Sequence, residues 1–307
     1  LRDMNEVELT SSNFTSSRGV QTTVKDYINR SISDILNAEI NWPFTRAEGS
    51  VDAIAGKQLY SFASIASTLK YIDYDNVFLM PKDYITNGDF EISGSASITN
   101  WATISGSPAA SSKFGNTLLL TSAKSSQEVE DLIVGKSYVI LIQTSGATLT
   151  LDVGTSSGGT QTKTTTLTIA SGNEVLLSEV TFTATATTHY VTFTESAGAT
   201  AYVKLVQLAE NITPIGLKYI SYEEYSERYR ERDSRPDTDK FSDPEFIYTT
   251  YNDEIGLTPI PDTSNRTIKF DYYTSNVDLS AHGDTSIIPT RFESVINARA
   301  KYYTYMF

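Results

Sequence analysis

The sequence predicts an α+β fold in two parts: a helical core with a small β-hairpin and sheet unit, interrupted by an inserted all-β sandwich. Three observations predict it. The first is a break in composition. No arginine lies between Arg46 and Arg228, and residues 86–209 hold 14 charged residues and 40 Ser or Thr in 124 positions. The other 183 positions hold 47 charged residues. Ordinary sequence on both sides of such a break reads as one domain inserted into a loop of another. The second is periodicity: apolar residues recur at three- and four-residue spacing in the flanks, and strand-like runs recur about every ten residues in the insert. The third is length, because 307 residues suit two domains that each bury a core. The expected boundaries are 1–85 and 211–307 for the core and 86–210 for the insert.

In the first flank, Val24, Ile28, Ile32, Ile35 and Leu36 form one stripe of a helix over 23–41. Thr23 and Asp26 fit a capping box, and Pro43 stops the helix. Trp42 and Phe44 are expected to pack its end. The runs at 56–62 and 71–80 are aromatic and β-branched, and read as strands. In the second flank, Ser221 and Glu224 open a helix that runs through alternating Arg and Glu to Pro236. That pattern reads as an ion-paired surface helix. Residues 243–273 follow as a compact β unit of three strands, turning at Pro261-Asp262-Thr263-Ser264-Asn265. A last helix runs from Pro289 to Phe307, with Phe292, Val295, Ile296, Arg299, Tyr302 and Tyr303 at helical spacing and no C-cap.

In the insert, strands are expected at 117–122, 137–143, 148–153, 164–169, 174–183, 189–194 and 201–208, a pattern that reads as a sandwich. Thr and Val dominate them, as suits a pleated packing surface.

Hydrophobic content of 39% and aromatic content of 11% mark a folded chain. The absence of Cys excludes disulfides, a thiol nucleophile and Cys-ligated zinc. No apolar run is long enough to span a bilayer, and the first residues lack a basic region followed by an apolar one, so a soluble chain without membrane insertion is expected. A net charge of −13 argues against wrapping nucleic acid, which needs Lys and Arg to displace counterions.

Two sets of residues resemble known families. The first comprises Ile28-Asn29-Arg30 through Asn41-Trp42-Pro43-Phe44, Leu217 to Tyr225, Pro244 with Tyr248, Ile255 to Asp262, Tyr272-Tyr273 and Ile288-Pro289. Together they resemble phage head-to-tail adaptor proteins related to tail tubular protein A. The resemblance implies a structural virion protein at the head–tail junction, assembled in the host cytoplasm. It would form a ring, generally a dodecamer, with the portal above, the tail nozzle below and DNA passing through without specific binding. It also implies a portal-docking C-terminal helix carrying Phe292, Ile296, Tyr302, Tyr303, Met306 and Phe307.

The second set is Asn87-Gly88-Asp89-Phe90-Glu91 followed by Trp101, which resembles the opening of carbohydrate-binding-module jelly rolls. That likeness implies weak contact with cell-surface glycans and a structural calcium. Lys204 stands where the calcium's last-strand Asp would be, and lysine offers no oxygen donor. Sugar binding needs exposed rings. Trp101, the one Trp of the insert, is the candidate contact; Tyr138, Tyr190, Tyr202, Phe114 and Phe182 are the other large rings.

No catalytic constellation assembles from sequence, and no cofactor is expected. His189 and His282 stand alone, and Walker, H-E-x-x-H and G-x-S-x-G motifs are absent. The Gly-rich segment 154–159 lies between strand runs and reads as a turn. The alternative to the adaptor is a receptor- or glycan-binding tail protein in which the sandwich is the functional domain.

Overall fold

The computed structural model describes residues 10–11, 19–39, 41–91, 98, 100–169, 175–228, 247–281 and 283–306. In chain order these form α1 (Val20–Ala38), β1 (Arg46–Asp52), β2 (Leu59–Ser61), β3 (Leu69–Pro81), β4 (Ala102–Ser105), β5 (Ala109–Ser111), β6 (Thr117–Leu120), β7 (Lys124–Val129), β8 (Ser137–Gly146) and β9 (Leu149–Gly154). Then come β10 (Lys163–Leu167), β11 (Leu176–Thr183), β12 (His189–Thr194), β13 (Ala201–Glu210), β14 (Ile215–Gly216), β15 (Lys218–Tyr219), α2 (Tyr222–Arg228), β16 (Ile247–Tyr251), β17 (Glu254–Thr258), β18 (Arg266–Thr274) and α3 (Glu293–Met306). Strands make up 42% of the described residues and helices 19%. The protein is mostly β, which corrects the α+β expectation with its helical core.

The chain divides into two compact units, one of residues 1–79, 215–264 and 268–307, the other of 80–214 and 265–267. In the first, the main core belongs to two four-stranded sheets, ordered β1-β18-β3-β14 and β15-β16-β17-β2. Tyr60, Ile72, Val77, Tyr248, Ile255, Ile268 and Phe270 fill it. The helices hold only a small cluster of their own, centred on Ile32, Leu36, Ile288 and Ile296. Sequence reading missed this because β1 (RAEGSVD) looks like a polar loop, and two-residue strands such as β14 and β15 have no period to detect. Gly49 in β1 serves packing: a Cβ there would lie 2.9 Å from the Phe270 ring.

Local chemistry explains the helix ends. Helix α1 starts three residues earlier than expected, after Gly19 at φ 57°, with no side-chain cap. Thr23 Oγ1 donates to the Gly19 carbonyl instead. At the other end Trp42 Nε1 donates to the Ile35 carbonyl at 3.1 Å and its ring stacks on Phe44, so the two rings close the helix. Ser221 Oγ caps α2 by accepting the Glu224 N–H. The expected continuation of α2 through 229–236, residues 243–246, His282 and Phe307 lie outside the described residues.

The second unit is a sandwich of two five-stranded antiparallel sheets, β10-β9-β12-β7-β4 and β11-β8-β13-β6-β5. From β6 onward the chain alternates between sheets except at the β9–β10 hairpin, the crossing pattern of a jelly roll. Alternate residues point inward: Tyr138, Ile140 and Ile142 of β8, Leu149, Leu151 and Val153 of β9, and Val191 and Phe193 of β12 all belong to one core. The sequence-expected strands are joined by β4, β5 and β7, whose Ser-rich sequences carry no apolar alternation.

The Asn87-Gly88-Asp89-Phe90-Glu91 opening plugs one edge of this core. Gly88 lies so close to β13 that a Cβ would sit 2.0 Å from the Val206 carbonyl oxygen, and the Gly88 carbonyl accepts the Val206 N–H. Phe90 is fully buried. Where the chain leaves and re-enters the first unit, Leu79 of β3 pairs with Ile215 of β14. Adjacent entry and exit points let a loop of the first unit hold a whole folded module without stretching its sheet.

Candidate functional site

An open cleft of about 360 Å³ lies on the outward face of the β10-β9-β12-β7-β4 sheet. Asn100, Trp101, Ala102, Ser126, Glu128, Ser157 and Tyr190 line it. Strand register sets its floor: Tyr190 of β12 stands opposite Glu128 of β7, and Thr192 opposite Ser126. On the edge strand, Ala102 pairs with Ser126. The β9–β10 loop contributes Ser157.

The cleft's chemistry is that of a carboxylate paired with a phenol. Tyr190 Oη donates to Glu128 Oε1 at 2.8 Å. This hydrogen bond raises the Tyr190 pKa above its ordinary value, so the hydroxyl stays protonated near neutrality. The second Glu128 oxygen and the Tyr190 lone pairs can accept hydrogen bonds from a ligand. Below them lies a polar row. Thr192 Oγ1 donates to Ser126 Oγ at 3.0 Å, and Thr164 Oγ1 donates to Asp152 Oδ1 at 2.8 Å. All but Thr164 of this row are buried although they point away from the core.

Trp101, the sequence candidate for glycan contact, touches the cleft but belongs to the core. It is 7% exposed, its ring packs between Phe90 and Phe193, and Nε1 donates to the Asn87 carbonyl. It cannot offer a stacking face without unpacking the sandwich. Of the other rings, Tyr138 and Phe182 are core, Phe114 and Tyr202 pack edge to face at the opposite sheet, and Tyr190 reaches the cleft. Sequence reasoning missed Ser126 and Glu128 because nothing marks KSSQEV as a strand, and Asn100 and Ser157 because they lie outside strands and only the fold brings them to the cleft. The available signal was the Tyr190 position: outward parity in β12 follows from the inward Val191 and Phe193.

The remaining sequence candidates fall elsewhere. Ile296 and Tyr303, placed by the resemblance on a docking surface, are buried against α1. Tyr303 Oη donates to Asp34 and, with Arg299, holds that carboxyl below its ordinary pKa. Val295, Tyr302 and Met306 share a different, exposed face of α3, and Phe292 is exposed in the preceding turn. His189 is fully buried at the start of β12, and burial lowers its pKa. Lys204 sits at a bulge in β13, and Glu210 of that strand is buried between Lys136 and Asn265. Among the described residues no three His, Asp or Glu side chains converge as a metal site.

No protein-family profile and no curated protein sequence matches the chain. Among solved structures the neighbours are carbohydrate-binding-module jelly rolls and a phage tailspike domain. The chain is similar to the enzymatically active domain of bacteriophage CBA120 tailspike protein 4, at 14% identity and a TM-score of 0.34, over 42% of this chain and 21% of that one. It thus spans about a fifth of the tailspike domain's length. It is similar to TmCBM61, solved with β-1,4-galactotriose, at 18% identity and a TM-score of 0.33, over 42% of this chain and 99% of that one. A third neighbour is the module CBM36, solved with calcium and xylotriose: 12% identity, a TM-score of 0.29, 36% of this chain and 94% of that one.

Proposed function

We propose that the sandwich is the functional module of a receptor- or glycan-binding tail-type protein, and that its cleft holds a neutral saccharide. One observation carries the reading: a partly exposed tyrosine, hydrogen-bonded to a carboxylate, stands in an open polar cleft. Sugar recognition needs this pairing, a ring for the apolar face of a pyranose and acceptors for its hydroxyl donors. The cleft volume of about 360 Å³ falls at the lower end of small-molecule sites, about 300–1,000 Å³. Glu128 at the mouth, with the charge of Glu130 acting on Tyr190, disfavours anionic sugars.

The role is binding without turnover. The lining supplies a single carboxylate, Glu128, whereas glycoside hydrolysis generally uses two flanking the bond. A shallow site with one ring supports a Kd of about 0.1–1 mM, or roughly −5.5 to −4 kcal/mol. Multiple copies on one particle would raise this by avidity. The test is calorimetric titration of the full chain against a panel of neutral and acidic oligosaccharides. Saturable binding of a neutral member that Tyr190→Ala abolishes supports the reading. Binding that Tyr190→Ala leaves intact, or that selects acidic members, refutes it.

The ring-forming adaptor at a head–tail junction is a second reading, favoured by the exposed Val295, Tyr302 and Met306 on α3. Native mass measurement separates the two: dodecamers support the adaptor, and monomers or trimers support the receptor binder.

A further inference from the structure

The outward face of the cleft sheet has an anomaly: Ser126, Asp152 and Thr192 point away from the core and yet are 1%, 5% and 0% exposed. The β9–β10 loop, residues 155–162, lies over this face, with Ser157 beside Ser126 in the cleft. The loop arches from β9 across the face towards β7 and β4, and its tip is Gly158. There the Lys124 ammonium of β7 donates to the Gly158 carbonyl at 2.9 Å. A Cβ on Gly158 would lie 3.3 Å from the Lys124 side chain and 3.6 Å from Ile104 of β4, so the tip rests on both strands. Gly158 has φ +73°, a conformation that glycine tolerates.

The loop is braced at its base. Gln161 Oε1 accepts the Thr155 N–H and Gln161 Nε2 donates to Ser156 Oγ. The legs touch, since a Cβ on Gly154 would lie 2.5 Å from Gly159 backbone. The tip is itself a turn, closed by the Gly159 N–H donating to the Ser156 carbonyl at 2.8 Å, and the Lys124 ammonium ties that turn to another strand. Ser157, next to that tip, lines the cleft.

We propose that Lys124 is the positioning residue of the cleft: it pins the 155–162 loop across the sheet and thereby sets the wall that carries Ser157. This rests on the cleft being the saccharide site. Lys124 touches no ligand in this account; its ammonium acts through Gly158. A charge-assisted bond to a carbonyl in a half-buried place is stronger than a neutral one, which suits a single anchor.

The experiment compares the full chain with Lys124→Met, which keeps the stem and removes the charge, and Lys124→Arg, which keeps the charge. Two readouts are taken. Hydrogen exchange of peptides spanning 155–162 reports the pin whether or not any sugar binds. Calorimetry reports affinity for the best neutral oligosaccharide of the panel. The expected result is exchange at least about tenfold faster in Lys124→Met, affinity lowered about tenfold (about 1.4 kcal/mol) and partial recovery of both in Lys124→Arg. Unchanged exchange in Lys124→Met overturns the pin. Faster exchange with unchanged affinity overturns the positioning role. If the wild-type chain binds no sugar, the saccharide reading fails, and the positioning role falls with it while exchange still decides the pin.

Discussion

The two units handle their aromatic rings in opposite ways. In the interrupted unit, surface tyrosines pair with one another: Tyr71 with Tyr273, Tyr74 with Tyr219, and Tyr222 with Tyr251 at a centroid distance of 3.8 Å. Their rings are spent on packing. In the sandwich, large rings fill the core, and Tyr190 is set apart on the outward face with a carboxylate as partner. A binding site depends less on how many rings a surface carries than on whether one ring stands beside spare hydrogen-bond acceptors. The cores differ too. The sandwich has one continuous apolar cluster, and the interrupted unit divides its apolar residues among separate clusters.

That contrast is most sharply broken or kept by core truncation. Phe193→Ala in the sandwich and Phe270→Ala in the interrupted unit each remove a buried ring, at a cost of about 3–5 kcal/mol. Scanning calorimetry is expected to show two transitions, with each variant lowering one of them. A single transition lowered equally by both would mean that the units do not fold separately. Ile296→Ala, in the small helix cluster, is expected to cost about 2 kcal/mol and to leave the sandwich transition in place.

Acid should also distinguish the units. His189 is buried, so its folded pKa lies below the unfolded value of 6.5. The unfolded chain then binds more protons, and sandwich stability falls as pH drops below 6.5 towards the folded pKa. Glu195 adds a second loss. Burial opposes its ionisation, but the backbone N–H groups of Ser122, Ala197, Ala199 and Gly198 outweigh that, so its folded pKa lies below 4.5. The stability it contributes is present above 4.5 and is lost as pH falls through the folded value. The interrupted unit's lowered carboxyls, Asp34 and Asp284, act only below 3.8. The sandwich transition should therefore begin to fall at higher pH than the other, and His189→Phe should remove the first part of that fall. Coincident pH profiles would count against this ordering. The smallest expected effect is at the cleft: Tyr190→Phe deletes one hydroxyl and should weaken saccharide binding by about 1 kcal/mol without moving either transition.

Legibility in the sequence followed burial. Strands with apolar alternation, such as β8, β12 and β18, are visible as patterns because one face must be dry. Strands β1 and β7 are not. Gly49 looks neutral until Phe270 lies against it, and the buried Gln127 of β7 is satisfied by the Thr86 and Asn100 carbonyls, which no local pattern encodes. The same limit applies to the site. Trp101 draws attention by residue type, yet its place between Phe90 and Phe193 is a matter of tertiary packing. Glu128 and Ser157 are brought together by register and by the Lys124 anchor, neither of which is local. The helices were legible as elements, but their stripes do not reveal that their shared core would be so small.

The most direct measurement of the central claim is a crystal structure of the full chain soaked with the tightest-binding neutral oligosaccharide. The account predicts a pyranose ring against Tyr190 with a hydroxyl hydrogen-bonded to Glu128 and Ser157 alongside. A saccharide ordered at another surface, with the Tyr190–Glu128 pair untouched, would contradict it.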